Sequence, residues 1–127
     1  MLAIQADQLT ALCLQAYGAP YALTPHMDRI AARGTTYLTS YCNSPVCGPS
    51  RASMMTGRLP LNVGVYDNAS KFLSSEPTYA HYLRTLGYQT SIVGKMHFVG
   101  PDQLHGFERR LTTDIYPSDF SWTADWS

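Results

Sequence analysis

The 127-residue chain sets nine Lys plus Arg against nine Asp plus Glu, giving a formal net charge of zero; 45% of it is hydrophobic and 12% aromatic. Its basic residues are scattered apart from the pair Arg109 and Arg110, which leaves no footprint for nucleic acid or a membrane surface, and no stretch approaches membrane-spanning length. The composition is that of a globular protein of about one domain, with a charged fraction of 14% that points to extensive burial.

Met1 to Ala6 is a short apolar run without a positive flank, and Asp7 follows where a signal peptide would still be apolar, so a cytoplasmic protein is the simplest reading. Leu2, Ala3, Ile4 and Ala6 read as a buried strand that delivers Asp7 at its carboxyl edge. Thr24 and Pro25 start a helix containing Ile30, Ala31 and Ala32 that Gly34 closes, and Thr35 to Cys42 alternates as a strand would. Pro49, with its preset backbone angle and no N–H to satisfy, suits the first turn of a helix that begins after Cys47 and stops at Gly57. Beyond a loop rich in Gly, Asn and Pro, Pro77 opens a helix through Tyr79, Tyr82, Leu83 and Leu86 that Gly87 stops, and Tyr88 to Val93 reads as the next strand. From Gly94 onward the pattern is loop.

Strands alternating with helices predict an α/β fold with a mostly parallel sheet flanked by helices, and in such sheets chemistry gathers at the carboxyl ends of strands. Asp7, Cys47, Lys95 and His97 all fall just past strand ends or at a helix start, so one cleft can hold them. A residue at the start of a helix meets unpaired N–H groups and the positive end of the helix dipole, a seat for an anion, and Arg51 one turn later reaches back with a fixed fork. By itself Cys47 reads equally as a buried thiol, a partner for Cys42 or half of a zinc site. Zinc is disfavoured by the spacing and the lack of a second cysteine pair, while three cysteines, an odd count, argue against a disulfide framework. Lys95 and His97 alternate along extended backbone around Met96 and so point into the same cleft, although each alone has a surface or core reading. Asn68 in Tyr66-Asp67-Asn68 reads as a turn residue. The end of the chain is aromatic and acidic: Trp122 offers a face for a cation, and Trp126 reads as a core or interface anchor. His26, His81 and His105 read as structural or surface residues.

The string from Cys47 to Gly57, CxPSRxxxMTG, resembles the maturation signal of type I sulfatases. Together with Gly94-Lys95-Met96-His97-Phe98-Val99-Gly100-Pro101 and Thr112-Thr113-Asp114-Ile115-Tyr116-Pro117, it is most like the bacterial choline-sulfatase branch, along essentially the whole chain. The resemblance implies an alkaline-phosphatase-like sulfatase fold of which residues 1–127 are the N-terminal part of the catalytic domain. It implies hydrolysis of a small sulfate ester, choline sulfate to choline and sulfate, through a formylglycine that a maturation enzyme makes from Cys47. Arg51 would hold the hydrated aldehyde, Lys95 would neutralise the sulfate, and His97 would hold the diol or assist elimination. Asn68 and Trp122 would contact substrate. Asp7 and the residue at position 47 would ligate a Ca2+ ion, a hard cation suited to oxygen donors, although Asp7 also reads as a strand-end cap. Gln8 departs from the Asp-Asp pair of many sulfatases but agrees with the choline-sulfatase branch. The full-length form would be a homo-oligomer. Two other readings stay open: a phosphonate or phosphate monoester hydrolase of the same superfamily, and an inactive fragment, since the family's later metal ligands are not supplied by these residues.

Overall fold

A computed structural model describes residues 1–114. They fall into two compact units, divided between Tyr41 and Cys42.

In the first unit, short-range hydrogen bonds shape the chain. The Thr10 hydroxyl accepts from the Leu12 N–H at 3.3 Å and starts a 3-10 turn at Ala11–Cys13; a second 3-10 turn, Gln15–Tyr17, closes on Gly18 at φ +89°. Helix α1 (Pro25–Ala31) starts where Thr24 and Pro25 predict, with Pro25 at its first position, and ends before Gly34. Its Ile30 is 68% exposed, and no residue of 1–41 is buried. The strands expected at Leu2 to Ala6 and at Thr35 to Cys42 are absent. Both runs are irregular, and Leu2 and Ile4 are exposed. A strand forms only where a neighbour takes up its N–H and C=O groups, and these runs have no ladder partner among the described residues.

The second unit has a core. Helix α2 (Cys47–Thr56) ends in a left-handed Gly57, and α3 (Pro60–Val63) in a left-handed Gly64. Helix α4 (Tyr79–Thr85) begins after Thr78, not at Pro77, because Thr78 caps it: the Thr78 side chain serves the His81 N–H while His81 Nδ1 accepts the Thr78 N–H at 3.0 Å. Strand β1 (Ser91–Ile92) realises only the centre of the expected strand at Tyr88 to Val93. Its parallel partner β2 (Arg109–Arg110), in register Ser91 with Arg109, lies in a stretch expected to be loop. Met55, Val65, Phe72, Ala80, Ile92, Phe98 and Phe107 form the heart of the core. It binds α2, α4 and β1 to the long loop after β1.

Candidate active site

Helix α2 places Cys47 as its first residue, partly exposed, while Arg51, Ala52, Ser53 and Met55 behind it are buried. Two amides of this helix start are occupied. Gly48 N–H donates to Asn68 Oδ1 at 2.8 Å, Ser50 N–H donates to the Val46 carbonyl at 3.0 Å, and Pro49 has none. The expected seat of open N–H groups is therefore already filled at those positions. The positive charge at residue 47 comes instead from Lys95, whose Nζ lies 3.4 Å from Cys47 Sγ. Arg51, 5% exposed, fixes that lysine from behind by donating from Nη1 to the Lys95 carbonyl at 2.7 Å.

Asn68 is delivered by a local turn. Asp67 Oδ1 accepts from the Ser70 hydroxyl at 2.7 Å and from the Ala69 and Ser70 N–H groups, and these bonds, the hydroxyl's first, hold the Asp67 carboxyl below its ordinary range. The turn lies so close to α2 that a Cβ on Gly48 would stand 3.0 Å from the Asp67 carbonyl oxygen. Only glycine allows that approach without displacement. The Asn68 carbonyl in turn accepts from His97 Nε2 at 2.8 Å, which puts the ring proton on Nε2 and, in the neutral ring, the lone pair on Nδ1. Burial pushes the His97 pKa below its ordinary value; Lys95 and Arg51 add to the fall, and the Asn68 carbonyl and Asp114 oppose it.

Lys95 and His97 do not alternate along extended backbone as expected. His97 has a left-handed backbone at φ +59°, and β1 ends at Ile92. Two charged residues that the sequence did not single out hold this stretch. Asp114 Oδ2 accepts the N–H groups of Met96 at 3.1 Å and Phe98 at 3.4 Å, and Arg110 Nη2 donates to the same oxygen at 2.6 Å. The guanidinium also lies over the Phe98 ring, 5.6 Å from its centroid. Burial by itself would raise the Asp114 carboxyl, but the Arg110 bond and the two amides outweigh it and hold it below the ordinary range. An Arg four residues before an Asp is a common surface spacing, so no signal in the sequence marked this pair as buried.

Thus Cys47, Arg51, Asn68, Lys95 and His97 come together in the second unit. Asp7 lies in the first unit, exposed and in a turn after the irregular run 1–6. Trp122, with Trp126, lies outside the described residues. Calcium takes about six to eight oxygen ligands, and among the described residues no three His, Cys, Asp or Glu side chains gather as a metal set. Asp7 and position 47 do not by themselves make a calcium site. All three cysteines are free thiols.

The sulfatase family model matches residues 1–124. The chain belongs to the sulfatase family. This sulfatase chain is 52% identical over 126 residues to the choline-sulfatase of Rhizobium meliloti (strain 1021), covering 99% of the chain and 25% of that relative. It is 39% identical over 123 residues to arylsulfatase A of Bos taurus, covering 87% of the chain and 24% of that relative. Among solved structures, it superposes with a TM-score of 0.77 on a protein in complex with its substrate D-glucosamine-2-N,6-O-disulfate, at 36% identity over 82% of the chain and 21% of that protein. The phosphonate monoester hydrolase of Agrobacterium radiobacter gives a TM-score of 0.72 at 25% identity, covering 84% of the chain and 25% of that protein. These neighbours establish the alkaline-phosphatase-like sulfatase fold, to which the parallel β1/β2 pair and its helices belong. The sulfatase segment spans about a quarter of the length of the curated relatives it matches.

Proposed function

We propose that the complete gene product hydrolyses a sulfate ester, choline sulfate, to choline and sulfate. The observation that carries the reading is the Lys95 ammonium 3.4 Å from Cys47 Sγ at the start of the CxPSR helix, in a chain 52% identical to a choline-sulfatase. Cys47 is the residue a maturation enzyme would oxidise to formylglycine; once hydrated, that group supplies a hydroxyl nucleophile and a second hydroxyl whose ionisation releases sulfate.

The surrounding side chains prepare position 47 for an anion. Lys95 sets one positive charge against the incoming sulfate, and Arg51 keeps it there through the Lys95 carbonyl. His97, its Nε2–H held by the Asn68 carbonyl, would hold the diol at residue 47 or assist its elimination. Asn68 spends its oxygen on Gly48, so its Nδ2–H donors are the group that would meet a sulfate oxygen. Asp7 and the residue at 47 would contribute to a Ca2+ site completed by residues of the longer product. Choline has a quaternary ammonium with no hydrogen to donate, and Trp122 is our candidate for the aromatic face that binds it.

A second reading, a phosphonate or phosphate monoester hydrolase, is favoured by the likeness to the Agrobacterium radiobacter enzyme. The test uses the complete gene product co-expressed with a maturation enzyme and presented with choline sulfate, p-nitrophenyl sulfate and a phosphonate monoester. Expected are an aldehyde in place of the thiol at position 47 by mass spectrometry, sulfate release fastest from choline sulfate, and none from Cys47→Ala. Trp122→Ala should weaken choline sulfate far more than p-nitrophenyl sulfate. Preference for the phosphonate would install the second reading; sulfate release from Cys47→Ala at the parent rate would remove both. The segment 1–127 by itself is expected to give no turnover.

A further inference from the structure

The stretch that carries Lys95 and His97 has no ladder to hold it among the described residues, and its central residue, His97, sits at φ +59°, a left-handed region that non-glycine residues adopt in only a few per cent of cases, although His does so more readily than most. A left-handed residue turns the N–H groups on its two sides toward one point, and such a pair of amides is a natural cradle for an anion. Here the anion is built in. The N–H groups of Met96 and Phe98, which flank His97, both point at Asp114 Oδ2, whose side chain is 1% exposed.

We infer that Asp114, backed by Arg110, is a positioning residue for the reaction: its carboxylate fixes the left-handed backbone of His97 and so sets the imidazole on the Asn68 carbonyl. This rests on the reading of His97 as a working residue of the site. Three features separate the arrangement from a general stabilising ion pair. The carboxylate grips main chain on both sides of one residue. Arg110 Nη1 donates to the Gln103 carbonyl at 2.8 Å and to Gln103 Oε1 at 3.2 Å, while Gln103 Nε2 donates to the Phe98 carbonyl at 2.6 Å. Phe98 is thus held at its N–H, its carbonyl and its ring, and the freedom that remains in the loop would be taken up by His97. Loss of the anion leaves the two amides unmatched, and the left-handed turn loses the interaction that selects it.

The experiment is a double-mutant cycle in the matured complete gene product, reading kcat and KM for sulfate release from choline sulfate, with p-nitrophenyl sulfate as a second substrate. Asp114→Asn keeps the shape and one acceptor oxygen but removes the charge. It should lower kcat by roughly tenfold or more, the scale expected when a catalytic group is misplaced by a fraction of an ångström to an ångström, with KM within about twofold. In a His97→Ala background the same change should move kcat by less than about twofold, because the group it positions is gone. Should Asp114→Asn fail to fold, Arg110→Gln leaves the carboxylate in place and reads the same cycle. An unchanged kcat in the single variant, or the same fold-loss with and without His97, would overturn the inference and leave the site reading standing. Full activity in His97→Ala would overturn the site reading and this inference with it.

Discussion

Within residues 1–41 a side-chain hydrogen bond joins the Tyr17 hydroxyl to the Tyr37 carbonyl across 20 positions. Within residues 42–114 such bonds join Arg51 to Lys95 across 44 positions, His97 to Asn68 across 29 and Lys95 to Cys47 across 48. The first unit has turns, caps and a helix but no buried residue; the second has a core with polar groups wedged against it. Turn chemistry shapes a chain locally, and only burial fixes distant groups at catalytic distances. The second unit uses its apolar side chains for that purpose, which is why the assembled part of the candidate site lies there.

The largest expected contrast is proteolytic. In the 127-residue chain, trypsin should cut after the exposed Arg29 and Arg33 at least about a hundredfold faster than after Arg51, because cutting inside a packed helix requires the unit to open, whereas the first unit has no buried core of its own to lose. Peptide mapping over a time course decides it. Equal rates would mean that the second unit's core does not protect α2, and the comparison would collapse.

A smaller effect distinguishes the second unit by pH. His105 is fully buried, stacked on Phe72 at 4.1 Å between centroids and edge-on to Phe98 at 4.5 Å, and burial pushes its pKa down to about 4, against the nearby Asp102. A folded-state pKa below the unfolded one means that the unfolded chain takes up the proton first as pH falls. The stabilisation is therefore complete above about pH 6.5 and lost progressively toward pH 4, amounting to about 3 kcal/mol. His97, also lowered, acts with the same sign. Hydrogen exchange at the Phe72 amide, which is bonded to the Val99 carbonyl, should accelerate across that window after correction for intrinsic rates. His105→Asn, a residue that tolerates the left-handed φ of +41°, should flatten the change. An Asn variant with the parental slope would exclude His105 as the cause.

The same contrast explains which features could be read in advance. Helices α1, α2 and α4 carry their signals locally: Thr24 with Pro25, Pro49 with Gly57, and Gly87 at the end of α4, whose start the sequence places at Pro77, one residue before its Thr78 cap. Strands need partners. The run at 2–6 has none among the described residues, while Arg109 and Arg110, two charged residues with no strand-like pattern, pair with Ser91 and Ile92 because the core brings them there. Asp7, expected in the same cleft, lies in the first unit, but the gathering of Cys47, Lys95 and His97, placed at a helix start and past a strand end, was legible. How they are held was not. The Asn68 bond to Gly48, the left-handed His97 and the buried Arg110–Asp114 pair are tertiary facts that leave only an ordinary glycine, histidine and spaced charge pair in the sequence.

The smallest expected effect on stability, Gly48→Ala, tests whether the second unit is organised for precision or only for burial. Gly48 is helical, so alanine gains up to about 1 kcal/mol of helix propensity. Against this, the new Cβ meets the Asp67 carbonyl oxygen at 3.0 Å and Asn68 Cα at 3.4 Å, and overpacking of that kind costs about 1–3 kcal/mol unless the turn moves. The turn is exposed at Asp67 and can retreat by a few tenths of an ångström, which relieves most of the clash and leaves the unfolding free energy within about 1 kcal/mol of the parent. That retreat carries Asn68 with it, and with Asn68 go the Gly48 bond and the carbonyl that seats His97. Activity of the matured gene product should then fall roughly tenfold while thermal stability barely changes. Loss of both in proportion would mean that the turn is rigid and the cost is paid in folding; loss of neither would mean that Asn68 does not set the geometry of His97.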